Sequence, residues 1–393
     1  PLPAAVPIVW NDVVLVRSGE GLAAFQTGTG NLLWQHMPAT RSVSLTKDSR
    51  LLRNDGFQEL ISRNEVFRIL ADDIHGRLTV ADGTVYAVME ASQDESAGTA
   101  RPMQTLGLPS PGETADVLVA RGIRSGQELW QLNPATSAVV AAAAQGEKLE
   151  AGSVHLLGPP LVKAHEYFVC LAAGDTLLLL CGDTHTGEPE WAIPLGTTGR
   201  VDSSVIRRSL AAAPLAYAGG LLICGTASGA VAGVDLATRQ VSWLRRYRRD
   251  DVTVADGLPQ GRLNRHQNIR WWEGWRESSL HTDGQTVLVV TPESDTLRAI
   301  DAATGQELWV RPRAEGLLVG RLSEEAVYVL GRESLAAVRI ADGSLLWHCG
   351  TGRPSGRPAV QGDHLLLPLE TGEILRIHSG TGAAASAVLT AVG

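Results

Sequence analysis

The densest set of binding-competent side chains in the 393 residues lies in one stretch. Arg245-Arg246-Tyr247-Arg248-Arg249 is followed by Arg262, Arg265, His266, Arg270, Trp271-Trp272, Trp275 and Arg276. Guanidinium groups grip anions through a rigid fork of donors, and Trp and Arg are the side chains most enriched where binding energy concentrates. This interleaving suits an acidic protein or a carbohydrate-like polymer. A self-packing lid is the alternative, its indoles covering the protein's own surface and its arginines pairing with Asp250, Asp251, Glu273 and Glu277. The candidate partner-binding residues are Arg245, Arg246, Arg248, Arg249, Arg270, Trp271, Trp272, Trp275 and Arg276.

Other chemistries find little support. Thr27-Gly28-Thr29-Gly30 imitates a phosphate loop but lacks the lysine and helix that would complete one. No Gly-x-Ser-x-Gly elbow occurs, and Ser203-Ser204 and Ser278-Ser279 have no recognisable partner base. The histidines show no HExxH and no metal spacing; His36, His155, His165, His185 and His348 read as surface residues near strand ends or turns. The four cysteines (Cys170, Cys181, Cys224, Cys349) form no CxxC and lie in or just beyond apolar runs. Buried thiols are the expectation, with a Cys170–Cys224 disulfide as the lesser alternative. Asp72-Asp73 and Asp250-Asp251 read as solvated turns. No catalytic, cofactor-binding or metal-ligating residue is therefore expected, and no cofactor.

Composition narrows the partners. The formal net charge of -8 argues against a general nucleic-acid binder. Lysine is confined to Lys47, Lys148 and Lys163, which fits a GC-rich genome. No apolar run approaches the roughly 20 residues that span a bilayer. Tyr167–Cys181 is broken by Gly174 and Asp175 and reads as two strands. The chain opens at Pro1 without a charged and apolar leader, which leaves a signal peptide, a lipid anchor or membership of a larger polypeptide open.

The elements that would carry these residues come from a repeated phrase. Its clearest copy is Ala299-Ile-Asp301-Ala-Ala-Thr304-Gly305-Gln-Glu-Leu-Trp309. The four-residue step from turn to Trp recurs at Gly30…Trp34, Gly126…Trp130, Gly187…Trp191 and Gly343…Trp347. Arg239…Trp243 keeps the step without the glycine, and Gly382…Ser386 keeps the turn without the Trp. The copy ending at Trp347 resolves into four short runs, Gly316–Arg321, Ala326–Leu330, Leu335–Ile340 and Leu345–His348. Four strands on a period of about 40 residues indicate a β-propeller blade.

The expected fold is all-β: a propeller of four-stranded antiparallel blades forming one domain over 1–393. The final-strand markers are Trp34, Trp130, Trp191, Trp243, Trp309, Trp347 and Ser386. Seven blades follow, and an eighth would need a degenerate copy hidden in 41–70. Insertions are expected near 41–70, 92–114 and 245–278. The phrase has a physical logic. Asp or Thr before Gly closes a hairpin that needs φ > 0, and the small Gly leaves room for an indole from the adjoining blade. The structural blade-docking residues are then Trp34, Trp130, Trp191, Trp243, Trp309 and Trp347, each able to donate its N–H to a main-chain carbonyl.

Ala-x-Asp-x-x-Thr-Gly-x-x-x-Trp resembles the tryptophan-docking repeat of the pyrroloquinoline-quinone (PQQ)-like propellers. That superfamily includes quinoprotein alcohol dehydrogenases and the propeller lipoprotein of the outer-membrane β-barrel assembly machinery. The resemblance implies a bacterial, extracytoplasmic protein. It also implies either of two activities, because one fold hosts both. The dehydrogenases hold PQQ between a Trp and a disulfide ring of adjacent cysteines, beside Ca²⁺, on eight blades. This chain has no Cys-Cys pair. The expected function is non-catalytic binding or scaffolding through face loops toward a protein or carbohydrate-like partner. The alternatives are a PQQ-dependent oxidoreductase and a sensor that binds a small solute in the central channel.

Overall fold

Runs of about five Val, Leu and Ala residues bounded by Gly, Asp and Ser favour strands, because branched chains fit a pleated, half-buried surface while the small polar residues close turns. The computed structural model describes residues 6–18, 21–36, 73–90, 116–144, 149, 153–197, 212–226, 228–247, 278–291, 294, 296–313, 316 and 318–387. Among them the runs assemble into seven antiparallel sheets, each a meander of strands taken in sequence order. The fold is a seven-bladed β-propeller.

Three blades lie in a compact unit spanning Ala4–Ala213. The first is β1 (Ile8–Trp10), β2 (Val13–Ser18), β3 (Gly21–Gln26) and β4 (Leu32–His36); the second is β5 (Leu78–Ala81), β6 (Thr84–Glu90), β7 (Asp116–Gly122) and β8 (Glu128–Leu132). The third is β10 (Leu161–Lys163), β11 (Glu166–Ala173), β12 (Thr176–Asp183) and β13 (Pro189–Thr197), with β9 (Val154–Leu156) also paired to β11. Gly174 and Asp175 do separate β11 from β12, as the sequence suggested. The short helix Ala138–Ala143 is capped by Ser137 and packs on β12 and β13.

Four blades lie in the unit that runs from Pro214 to Gly393. They are β14 (Leu215–Ala218), β15 (Leu221–Gly225), β16 (Ala230–Asp235) and β17 (Gln240–Arg246); then β18 (Ser279–Thr282), β19 (Thr286–Val290), β20 (Thr296–Asp301) and β21 (Glu307–Pro312). The sixth is β22 (Leu318–Arg321), β23 (Ala326–Leu330), β24 (Ser334–Arg339) and β25 (Leu345–Gly350), and the seventh is β26 (Ala359–Gln361), β27 (His364–Pro368), β28 (Ile374–His378) and β29 (Ala384–Ala387).

Within each unit, stacked sheets bury their apolar faces against one another. Leu15, Ala24, Val85 and Val119 pack between the first and second blades, and Leu330, Leu335, Leu365 and Ile377 between the sixth and seventh. Each such fully buried Leu, Ile or Val contributes about 1.5–3 kcal/mol.

One register feature marks every blade that carries a repeat Trp. The Trp faces a small third-strand residue: Ala24↔Trp34, Ala120↔Trp130, Cys181↔Trp191, Gly233↔Trp243, Ala299↔Trp309 and Ala337↔Trp347. Each pairing is followed by a one-residue shift that leaves the residue before the Trp as a bulge. In the seventh blade, Leu375 faces Ser386 and the register runs without a shift. An extra residue bends its strand and re-aims neighbouring side chains. The indole and the bulge therefore come and go together.

No disulfide joins the four cysteines. Cys170, Cys181 and Cys224 are buried, but Cys349 is only half-buried because it lies on the outer strand β25. His155 corrects the sequence reading: it is buried, not superficial, because β9 adds a strand that places it opposite Ala172 of β11. Among the described residues, no helix is long and apolar enough to cross a membrane.

Candidate functional site

Five of the six repeat indoles are engaged by the next blade. Trp34 Nε1 donates to the Ile123 carbonyl at 2.7 Å, Trp130 to Thr184 at 2.7 Å, Trp243 to Ala302 at 3.0 Å, Trp309 to Ile340 at 3.0 Å and Trp347 to Ser379 at 2.6 Å. Each ring lies over the next blade's turn glycine. A Cβ on Gly126 would stand 2.5 Å from the Trp34 ring, and one on Gly187 the same distance from Trp130. Gly126 also has φ +66°, so side-chain clash and backbone strain exclude larger residues together. Trp191 is buried beside Phe168, with ring centroids 6.1 Å apart. Trp10 is half-buried against the first two blades, where a Cβ added to Gly83 would lie 3.7 Å from its ring.

The turns preceding Trp191, Trp243 and Trp309 are built on carboxylates. Asp301 Oδ1 accepts from Thr304 N at 2.8 Å and from Thr304 Oγ1 at 2.7 Å. Asp183 accepts from His185 N and Thr186 N, both at 2.8 Å. Hydrogen bonds to the ionised form hold both carboxyls below their ordinary range, led by the Thr304 hydroxyl at Asp301 and by the Thr186 amide at Asp183.

Of the candidate partner-binding residues, Arg245 and Arg246 are placed. Both are exposed at the end of β17, which edges its sheet. The same strand exposes Val241 (38%) and Leu244 (47%), so its surface mixes apolar and cationic groups. Tyr247 follows half-buried, with the Arg298 guanidinium 5.7 Å from its ring centre. Arg248, Arg249, Arg270, Trp271, Trp272, Trp275 and Arg276 lie outside the described residues. So do the expected insertions at 41–70 and 92–114 and nearly all of 245–278, of which only Arg245–Tyr247 and Ser278 are described.

Three polar clusters escaped the sequence reading because their members are distant in the chain. Asp116 is fully buried; its carboxylate lies 3.5 Å from His75 Nε2 and 3.6 Å from His155 Nδ1, and accepts from Leu156 N at 3.2 Å. Arg121, also buried, donates to Glu128 at 2.5 Å and to the Gly126 carbonyl at 3.0 Å. Burial, then the Arg121 charge, pushes the nearby His36 below the ordinary histidine value. In the third blade, ligand atoms of Glu166, Cys181 and Glu190 all lie within 4.8 Å of one another.

A family model described as outer membrane protein assembly factor BamB matches residues 113–263 and 255–389. The chain belongs to that family. The match runs from β7 through the last strand, β29, and so includes β17. No curated protein matches the sequence. Among solved structures, BamB from Moraxella catarrhalis is 15% identical, with 92% of this chain and 80% of that one covered at a TM-score of 0.50. Quinohemoprotein alcohol dehydrogenase from Comamonas testosteroni is 12% identical, with 98% and 67% covered and a TM-score of 0.54. A europium-containing methanol dehydrogenase is 13% identical, with 98% and 77% covered and a TM-score of 0.52. At these identities the likeness is one of fold, shared by the BamB structure and the dehydrogenases alike.

Proposed function

We propose that this BamB-family propeller is a non-catalytic scaffold that acts outside the cytoplasm, in outer-membrane protein assembly, by presenting face loops to a protein partner. The observation that carries the reading is the family match across 113–389. The site assigned to docking is the cationic end of β17 and the segment after it: Arg245, Arg246, Arg248, Arg249, Arg270, Trp271, Trp272, Trp275 and Arg276. Exposed arginines beside exposed Val241 and Leu244 supply both steering charge and apolar area, which an acidic, partly apolar partner surface complements. Trp34, Trp130, Trp243, Trp309 and Trp347 serve as fasteners between blades rather than as ligand-binding aromatics, and the same role is proposed for Trp191.

An oxidoreductase reading would draw on the same fold but needs PQQ. Calorimetric titration of the protein with PQQ and Ca²⁺, followed by gel filtration, separates the two. The scaffold reading expects no retained chromophore. One equivalent of PQQ retained through the column overturns it.

A further inference from the structure

The third blade departs from its own repeat at three coupled positions. In the first, second, fifth and sixth blades, the residue facing the Trp is alanine and the bulged residue before the Trp is leucine. The residue paired two positions beyond that alanine is Val13, Thr84, Thr286 or Ala326. In the third blade these three places hold Cys181, Glu190 and Glu166.

Geometry brings the three together. Cys181 Sγ stands 3.6 Å from Glu166 Oε1, and the donor atoms of all three residues lie within 4.8 Å of one another. Tetrahedral zinc, with bonds of about 2.3 Å to sulfur and about 2.0 Å to oxygen, requires sulfur–oxygen separations of about 3.5 Å. Glu190 is the bulged residue before Trp191, and its carboxylate lies within 4.8 Å of Cys181 Sγ. Cys181 is fully buried, Glu166 half-buried and Glu190 exposed, so the cluster opens on one side where solvent can supply a fourth ligand.

We propose that Glu166, Cys181 and Glu190 form a binding site for a divalent transition ion of the zinc class. A thiolate beside two carboxylates favours such a borderline ion over Mg²⁺ or Ca²⁺, which take oxygen ligands alone. On binding, the Cys181 thiol releases its proton to solvent and the sulfur lone pair goes to the ion. Without metal, the thiol donates its hydrogen bond to Glu166.

The test is titration of the chelator-treated full chain with Co²⁺, following the near-ultraviolet thiolate-to-cobalt charge-transfer band. The site predicts a band that saturates at one equivalent and is bleached by Zn²⁺. Cys181→Ser removes the band. Glu190→Gln, at an exposed position that leaves the fold intact, weakens binding by more than about tenfold, since even outer-shell changes at metal sites cost that much. If the Cys181 variant does not fold, Glu190→Gln and Glu166→Gln decide alone. Cobalt bound without the band places the ion elsewhere, such as the exposed His165–His185 pair, and overturns the proposal. A band that survives Cys181→Ser, or affinity unchanged by Glu190→Gln, overturns it equally.

Discussion

Arg239 stands in the turn before Trp243 where the other repeats carry glycine, and it adopts the glycine conformation, with φ +55° against +70° at Gly305. A left-handed backbone costs an L-residue about 1–2 kcal/mol, partly offset by the roughly 0.5–1 kcal/mol that glycine loses in chain entropy. Arg239→Gly should therefore raise stability by about 0.5–1 kcal/mol, read as a higher Tm. A lower Tm would mean that the arginine side chain contributes more than its backbone strain costs. Asp301 gives a pH signature. Its hydrogen bonds to Thr304 depress its pKa below the ordinary 3.8. A depressed carboxyl contributes stability above its unfolded pKa and loses it as pH falls through the folded one. The Tm difference between wild type and Asp301→Ala should stay constant from neutral pH down to near 3.8 and narrow below it. A gap that stays flat through the acid range would show that ionisation is irrelevant to the turn.

Blades were the most legible part of the chain. For the sixth, sequence gives Ala326–Leu330 and the structure places the strand over the same residues; its neighbours shift by two residues at most at each end. Turn chemistry and apolar runs are local, so one chain suffices to read them. Register is not local, and neither the bulge at each Trp nor the extra strand β9 could be seen in advance. The same reason hid His155, whose burial depends on that strand, and the Glu166–Cys181–Glu190 cluster, spread over three strands without motif spacing. The indole contacts make a testable element. Trp130→Phe keeps most of the buried area but removes the donor to the Thr184 carbonyl. A cost of about 1–3 kcal/mol is expected from the unsatisfied partner, seen as a lower denaturation midpoint at unchanged m. No change in midpoint would reduce the indole N–H to a bystander.

Over the whole chain, a net charge of -8 coexists with a cationic strand end at Arg245-Arg246. A local charge opposite in sign to the total favours one docking orientation and repels others. The candidate interface was legible as composition, through clustered Arg and Trp. Of its nine residues, the fold places Arg245 and Arg246, exposed beside Leu244 on an edge strand. Those three residues allow a decisive experiment. A photo-crosslinking residue at Leu244, introduced into the protein in its source cells, should give one discrete protein adduct. Arg245→Glu combined with Arg246→Glu should abolish that adduct, while the same probe at Leu345 on β25 should give none. An adduct indifferent to the charge reversal, or the same adducts from both probe positions, would contradict docking through this edge.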